Sequence, residues 1–204
     1  MRPTLIVIAK APEPGRSKTR LSPPLSLETA ARLAEAALAD TLACVASATA
    51  GRRVLALDGE PGAWLPAGFE LIPQRGEGLD QRLASAFEDV GGPALLVGMD
   101  TPQLRPALLR RALARLARRD AVLGPAFDGG YWAVGLREPR RELFSGVPMS
   151  TSLTFAAQLG RLRDHGLSVG LLPPLRDVDL IDDAHAVAAL APGSRFASAL
   201  GAAA

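Results

Sequence analysis

The stretch Pro93-Ala-Leu-Leu-Val-Gly-Met-Asp-Thr-Pro-Gln-Leu104 predicts a buried strand with an acid just beyond its end. Four consecutive apolar residues, 94–97, are typical of a strand in a parallel sheet that is covered on both faces. Gly98 ends the strand, and a Thr-Pro pair separates it from the next helix. Because ligands of open α/β sheets bind beyond the carboxyl ends of strands, Asp100 is interpreted either as a ligand of a divalent cation or as a helix-capping residue.

The length and composition of the chain are those of one globular domain over residues 1–204. Of its 204 residues, 48% are hydrophobic and 22% are charged, which is ordinary for such a domain. No apolar run approaches the ~18 residues that span a bilayer, and no cleavage site follows the first strand, so neither a membrane span nor a signal peptide is expected. A single cysteine, Cys44, excludes an internal disulfide framework and favours the cytoplasm. Its Ala-rich surroundings predict a buried core residue.

Strand-like and helix-like segments alternate along the chain. Strands are predicted at residues 4–9, 53–57, 69–73, 94–98, 121–124, 131–136 and 168–172. Ser26 predicts the start of a long helix that runs to about residue 47, and the spacing of four between Leu79, Leu83 and Phe87 predicts another. This alternation favours an α/β fold, specifically a three-layer α/β/α sandwich around a Rossmann-like, mostly parallel sheet.

The charge distribution gives little support to a nucleic-acid partner. The net charge is only +2, although residues 105–119 hold six arginines and no acid. Leu109, Leu113 and Leu116 predict the buried stripe of a helix there, with the arginines spread over its other side. They are interpreted as a solvated face in preference to a polyanion-binding surface, and no aromatic residues interleave with them.

A basic loop, Lys10-Ala-Pro-Glu-Pro-Gly-Arg-Ser-Lys-Thr-Arg-Leu21, follows the first strand. Gly15 allows the backbone to approach a ligand closely. Since Arg16, Lys18 and Arg20 alternate, an extended loop would project all three toward one anion. That arrangement favours a nucleotide diphosphate over a merely solvated surface loop, although the spacing matches neither the Walker motif nor G-x-G-x-x-G.

A second candidate segment is Gly124-Pro-Ala-Phe-Asp-Gly-Gly-Tyr131, which places Asp128 in a turn between two strands. Gly129 and Gly130 are expected to leave backbone N–H groups free for an acceptor or a phosphate. The alternative is a plain hairpin turn, because Asp-Gly is a strong turn dipeptide.

The third acidic segment is Asp177-Val-Asp179. In an extended chain, residues two apart lie on the same side, with their side chains about 6–7 Å from each other. One cation could then bridge this pair with Asp100. The alternative is an exposed acidic turn. The next two acids, Asp182 and Asp183, suit the first turn of a helix.

Five of these stretches, taken in order, resemble a known family. They are Lys10-Ala-Pro-x-Pro-Gly-x-x-Lys-Thr-Arg-Leu21, Gly98-x-Asp-x-Pro-x-Leu104, Gly124-Pro-x-x-Asp-Gly-Gly-Tyr131, Ser150-Thr151 and Leu172-Pro-Pro-x-x-Asp-Val-Asp179. Over roughly residues 4–185 the chain resembles the bacterial GT-A-like "transferase 1" proteins, which are encoded near radical-SAM and selenium-related genes and are usually named glycosyltransferases. It is more distantly similar to 2-phospholactate guanylyltransferase and the molybdenum-cofactor guanylyltransferases. All share the nucleotide-diphospho-sugar transferase fold.

The resemblance implies a nucleotide site with Mg²⁺ or Mn²⁺ on the phosphates. It implies metal ligands at Asp100, Asp177 and Asp179. The nucleotide-binding candidates are Lys10, Gly15, Arg16, Lys18, Arg20, Gln74 and Gly76. The candidates for binding the second substrate are Asp128, Gly129, Gly130, Tyr131, Ser150 and Thr151. The chain departs from the family at Met149, where Trp is common, and at Leu180, where Thr is common.

These observations predict a metal-dependent transferase that uses a nucleotide-activated donor. The leading hypothesis is glycosyl transfer from a nucleotide-diphospho-sugar to a small-molecule acceptor, with Asp100, Asp128 and Lys18 as catalytic residues. The cation and the basic loop would neutralise the diphosphate leaving group, and Asp128 is the candidate general base. The alternatives are a nucleotidyltransferase that releases pyrophosphate from an NTP donor such as GTP or CTP, and a nucleotide-binding protein without turnover. A homodimer is left open by the sequence.

Overall fold

The computed structural model describes residues 3–48 and 51–203. Within them, one sheet is formed by β1 (Thr4–Lys10), β2 (Arg53–Asp58), β3 (Glu70–Pro73), β4 (Ala94–Gly98), β5 (Ala121–Pro125), β6 (Tyr131–Leu136) and β7 (Val169–Leu171). The helices are α1 (Leu27–Ala48), α2 (Leu79–Val90), α3 (Pro106–Leu116), α4 (Thr154–Asp164), α5 (Ile181–Leu190) and α6 (Arg195–Gly201). Each strand predicted from the sequence is present, with its ends shifted by no more than one residue.

The central strand β4 shows why a continuous apolar run folds as a strand here. Leu95 and Val97 pack into the core on one face of the sheet, and Ala94 and Leu96 pack into the core on the other. Successive side chains of a strand point to opposite faces, so a strand covered on both sides must be apolar at every position. The predicted α/β/α layering is confirmed.

The helices pack on both faces of the sheet, and each face has its own cluster of buried side chains. α1 and α3 cover one face, and α2 and α4 cover the other. α5 and α6 form a further cluster against α1, on the side away from the sheet. The hydroxyl of Ser26 accepts the N–H of Thr29 at 3.2 Å, so Ser26 caps the start of α1 as predicted.

The strand order is β3-β2-β1-β4-β6-β5-β7. Strands β3, β2, β1 and β4 are parallel, whereas β6 runs antiparallel to both β4 and β5. From β1 the chain continues to β2, which lies on one side of β1. It later returns to form β4 on the other side of β1. The gap beyond the ends of β1 and β4 is therefore a topological switch point, where open α/β sheets bind ligands. Because β6 is reversed, the hairpin between β5 and β6 reaches the same edge.

The burial of side chains confirms the predictions for Cys44 and for the arginine-rich helix α3. Cys44 is 7% exposed, and burial raises the pKa of its thiol to about 12. In α3, Leu109 and Leu116 are buried, while most of the surrounding arginines are exposed to solvent. Among the described residues, no helix is both long and apolar enough to cross a membrane.

Candidate active site

A cleft of about 800 Å³ opens at the switch point. Its walls come from the loops that follow β1 and β4, the β5–β6 hairpin, the loop before α4 and the segment that precedes α5. The predicted site residues that line it are Lys10, Arg16, Lys18, Arg20, Gln74, Asp100, Asp128, Gly130, Tyr131, Ser150, Thr151, Asp177 and Asp179. Three others, Gly15, Gly76 and Gly129, are not part of its lining. Residues predicted from five separate motifs thus share one cleft.

At the centre of the cleft, the loop after β1 meets the loop after β4. Lys18 Nζ lies 2.7 Å from Asp100 Oδ1, and the Lys18 side chain is only 10% exposed. The same ammonium donates to the carbonyl of Val178. Asp100 Oδ1 is itself buried and has no hydrogen bond within the described part of the chain, so the contact with Lys18 is an ion pair outside hydrogen-bond geometry. The helix-capping interpretation of Asp100 is wrong, because Arg105 occupies the N-cap position of α3.

The segment before α5 packs directly on the end of β4. Val178 N donates to the carbonyl oxygen of Asp100 at 2.9 Å, and the Val178 side chain is fully buried. The acids on either side of it, Asp177 and Asp179, both line the cleft. Asp179 Oδ2 accepts from Arg20 Nη1 at 2.6 Å. The alternation predicted for Asp-x-Asp is present, and it places both acids at the strand end where Asp100 lies.

Burial and neighbouring charge raise the pKa of Asp177 to about 6, from an ordinary value of 3.8. Burial is the larger cause, and the carboxylates of Asp128 and Asp100 add to it, while Lys18 opposes it. Removal from water is thus the main reason why this carboxyl group holds its proton more tightly than usual.

Replacing Asp177 with asparagine is expected to stabilise the protein at neutral pH. In the unfolded chain this carboxyl ionises near pH 3.8, whereas in the folded protein it ionises near pH 6. Stability is therefore lost as the pH rises between these values, and the loss is complete above the folded pKa. Without metal, the melting temperature of Asp177→Asn relative to wild type is expected to rise from about pH 4 to about pH 7 and then to level off.

The control for this pH effect is Glu60→Gln, which removes an exposed acid outside the cleft. Its melting-temperature difference from wild type should not vary over the same pH range. A flat difference for Asp177→Asn as well would show that the Asp177 carboxyl is not perturbed in the folded protein.

The basic loop is not extended, so the predicted alternation of its side chains is wrong, although Arg16, Lys18 and Arg20 all line the cleft. Residues 14–16 form a turn, Lys18 adopts a left-handed backbone with φ of 53°, and a short 3-10 helix follows. Arg16 turns toward Glu13, with Nη1 2.8 Å from Oε2, and toward Asp58 at 3.7 Å. Only Lys18 and Arg20 reach the acids of the cleft.

The β5–β6 hairpin also differs from the expectation. Asp128 Oδ1 accepts the N–H of Gly130 at 2.7 Å, and Gly129 N donates to the carbonyl of Ala126 at 3.2 Å. Both N–H groups that the sequence suggested were free for a ligand are thus used inside the turn. Asp128 itself is exposed in the cleft, and its second carboxylate oxygen has no partner among the described residues.

Several side chains that were predicted to bind the nucleotide or the second substrate make contacts within the protein. Gln74 Nε2 donates to the carbonyls of Ala9 at 2.7 Å and Ala56 at 3.1 Å, which ties the strand ends together. The Tyr131 hydroxyl contacts Gln158 Oε1 at 3.3 Å behind the cleft wall, and burial raises its pKa. Thr151 Oγ1 accepts the N–H of Leu153 at 3.2 Å, in the turn that leads into α4.

Residues of the cleft that sequence reasoning missed include Arg82 and Thr101. Arg82 Nη1 pairs with Asp58 Oδ2 at 2.9 Å, which links α2 to the end of β2. The hydroxyl of Thr101 lies beside Asp100, is buried and has no hydrogen bond among the described residues. Arg82 lies eight residues after Gln74, a predicted nucleotide-binding residue, so this proximity in the sequence was the available signal.

The acids at the end of β4 fit a divalent cation that binds together with a nucleotide. Two buried oxygens there, Asp100 Oδ1 and Thr101 Oγ1, have no hydrogen bond among the described residues, and Asp177 also lines the cleft. Among the described residues, no group of three or more His, Cys, Asp or Glu side chains is arranged to hold a metal. Mg²⁺ commonly takes one or two carboxylates and completes its shell with phosphate oxygens and water, so a preformed cage is not required.

Residues 29–151 match the protein family described as "Uncharacterized protein conserved in bacteria (DUF2064)". The chain belongs to this family. The matched range contains Asp100, the β5–β6 hairpin and Ser150-Thr151, whereas the basic loop and the Asp177–Asp179 segment lie outside it. No significant match was found among curated proteins.

Solved structures place the chain in the nucleotide-diphospho-sugar transferase fold. A protein from Desulfovibrio desulfuricans G20, provisionally named a nucleotide-diphospho-sugar transferase, is 27% identical; the match covers 98% of this chain and 94% of that one, with a TM-score of 0.88. The manganese complex of Rv0371c from Mycobacterium tuberculosis H37Rv is 20% identical, covers 92% and 98%, and has a TM-score of 0.53. The 2-C-methyl-D-erythritol 4-phosphate cytidylyltransferase from Thermus thermophilus is 16% identical, covers 94% and 100%, and has a TM-score of 0.60.

The resemblance and the fold expected from the sequence are confirmed by these comparisons. The expectation of a transferase agrees with the provisional name of the D. desulfuricans protein, which is 27% identical to this chain. The last two structures, at 20% and 16% identity, share only the fold with this chain.

Proposed function

We propose that this cleft catalyses divalent-metal-dependent transfer of a glycosyl group from a nucleotide-diphospho-sugar to a small-molecule acceptor. The observation that carries the proposal is the meeting of Lys18, Asp100 and the Asp177–Asp179 segment at the switch point between β1 and β4. Cations and acids together at this position suit a ligand that carries both phosphates and a metal ion. The similarity to the D. desulfuricans protein supports a sugar donor.

In this mechanism, Asp100 and Asp177 would hold Mg²⁺ or Mn²⁺, which would neutralise charge on the diphosphate. Lys18 and Arg20 add positive charge where the leaving phosphate oxygen becomes anionic. The bond between the anomeric carbon and that oxygen breaks as the acceptor hydroxyl bonds to the carbon. Asp128 takes the hydroxyl proton on its free carboxylate oxygen.

A nucleotidyl transfer is the second candidate, and the fold shared with a cytidylyltransferase supports it. In that reaction, an oxygen of the acceptor attacks the α-phosphate of an NTP, and pyrophosphate leaves. The same cation site and the same cationic side chains would serve. The product separates the two reactions, since glycosyl transfer releases a nucleoside diphosphate and nucleotidyl transfer releases pyrophosphate.

A thermal-shift scan is expected to identify the donor class. Nucleoside diphosphates, nucleoside triphosphates, UDP-sugars and GDP-sugars are each tested with Mn²⁺ and with EDTA. A nucleotide at about 100 times its Kd stabilises the folded state by about 2.7 kcal/mol, which corresponds to a melting-temperature rise of roughly 5–10 °C for a chain of this size. We expect that rise only when Mn²⁺ is present.

The matched control ligands are the free nucleosides, which lack the phosphates that the cation and the basic loop would bind. They should give no metal-dependent rise. A scan in which no phosphorylated nucleotide stabilises the protein, with or without Mn²⁺, would contradict both the glycosyl-transfer and the nucleotidyl-transfer assignments.

A further inference from the structure

The Lys18 ammonium occupies the place beside Asp100 where a divalent cation would bind. Its Nζ lies 2.7 Å from Asp100 Oδ1 and also donates to the carbonyl of Val178. With a side chain only 10% exposed, Lys18 is held among these oxygens and away from bulk water. A buried ammonium is stable only when such partners surround it.

Lys18 covers one of the two carboxylate oxygens that Asp100 could offer to a metal, while the Asp100 side chain as a whole is 42% exposed. Asp100 Oδ1 is buried and makes no hydrogen bond to any residue that the structure describes. An ammonium and a divalent cation on the same carboxylate lie only a few ångströms apart, and like charges at that distance repel each other. Lys18 and the metal therefore compete for Asp100.

From this contact we propose that Lys18 blocks the metal site in the free protein and that an arriving nucleotide phosphate draws it away. The inference rests on the proposed function, because it requires a nucleotide and a divalent metal in the same cleft. Lys18 has a long, flexible side chain and lies in the loop whose other cations also line the cleft. A phosphate there offers the ammonium a new anionic partner and frees Asp100 for the metal.

The consequence is that nucleotide and metal bind cooperatively. Each ligand favours the arrangement in which Lys18 has left Asp100, so each raises the affinity for the other. Linkage requires the two increases to be equal. In the free protein, a cation without nucleotide must first displace Lys18 and binds weakly.

The test measures Mn²⁺ affinity by titration calorimetry, with and without GDP or UDP, for the wild type and for Lys18→Met. We expect the nucleotide to tighten Mn²⁺ binding to the wild type at least tenfold. Lys18→Met keeps the length of the side chain but removes its charge. It should bind Mn²⁺ alone at least tenfold more tightly than the wild type does, and nucleotide should add little further.

The matched control is Arg111→Met, which removes one exposed positive charge outside the cleft. It should retain the cooperativity between nucleotide and Mn²⁺, whereas a general charge effect would move both variants alike. Lys18→Gln gives the same comparison with a second neutral side chain if Lys18→Met does not fold.

The outcomes separate this inference from the proposed function. Independent binding of nucleotide and Mn²⁺ to the wild type, or unchanged Mn²⁺ affinity in Lys18→Met and Lys18→Gln, would overturn the role of Lys18 while leaving the proposed function standing. A wild type that binds neither Mn²⁺ nor any nucleotide would overturn both.

Discussion

Replacing Asp100 with asparagine is expected to lower kcat about a hundredfold to a thousandfold, the size of loss found when one electrostatic contact to a developing charge is removed. Asparagine keeps the size of the side chain and leaves an oxygen beside Lys18, but it removes the charge with which Asp100 is proposed to hold the cation. Turnover is measured with the donor that the thermal scan identifies, under saturating Mg²⁺ or Mn²⁺.

The fold of this variant is checked separately, because Asp100 is also the ionic partner of Lys18. Far-UV circular dichroism and the melting temperature should remain close to those of the wild type. The matched control is Glu138→Gln, an exposed acid that follows β6 at the edge of the sheet opposite the cleft; its kcat should stay within about twofold of wild type. Normal turnover by a well-folded Asp100→Asn would show that Asp100 does not hold a catalytic metal ion.

The sheet and the position of the cleft could be predicted because both follow from short-range patterns. The apolar run of β4 can only be buried on both faces, so Asp100 had to lie at a strand end. Asp177 and Asp179 are separated by one apolar residue, and Val178 is fully buried between them. In such segments the period of two decides which side chains face the ligand.

The internal contacts of the loops could not be predicted in this way. The left-handed backbone of Lys18 is uncommon for a residue with a Cβ and has no sequence signature. The bonds from Gln74 to Ala9 and Ala56 join residues that are far apart in the sequence. Polar side chains that the sequence suggested for ligand binding are therefore partly used to hold the strand ends and turns together.

Gly129 is a further residue whose role in the structure differs from the role that the sequence suggested. The sequence suggested that Gly129 leaves its N–H group free for a ligand. In the structure, the absence of a side chain at this position allows the β5–β6 hairpin to contact the loop before α4. Gly129 has φ of +90°, and a Cβ there would overlap the backbone carbonyl of Ser152. Its own carbonyl accepts the N–H of Phe155 at 2.8 Å. Gly129 thus joins the hairpin that carries Asp128 to the loop that leads into α4.

Gly129→Ala is expected to lower the free energy of unfolding by about 2–4 kcal/mol, from the combined costs of a strained backbone and an overpacked contact. Urea unfolding measures this loss. The matched control is Gly166→Ala, since Gly166 has φ of +75° but no atom within 4 Å of the added Cβ. It carries only the conformational cost, about 1 kcal/mol. The difference between the two variants therefore isolates the contact between the loops. If both variants lose the same free energy of unfolding, the backbone at Ser152 moves aside without cost. The contact would then not fix Asp128 relative to the loop before α4.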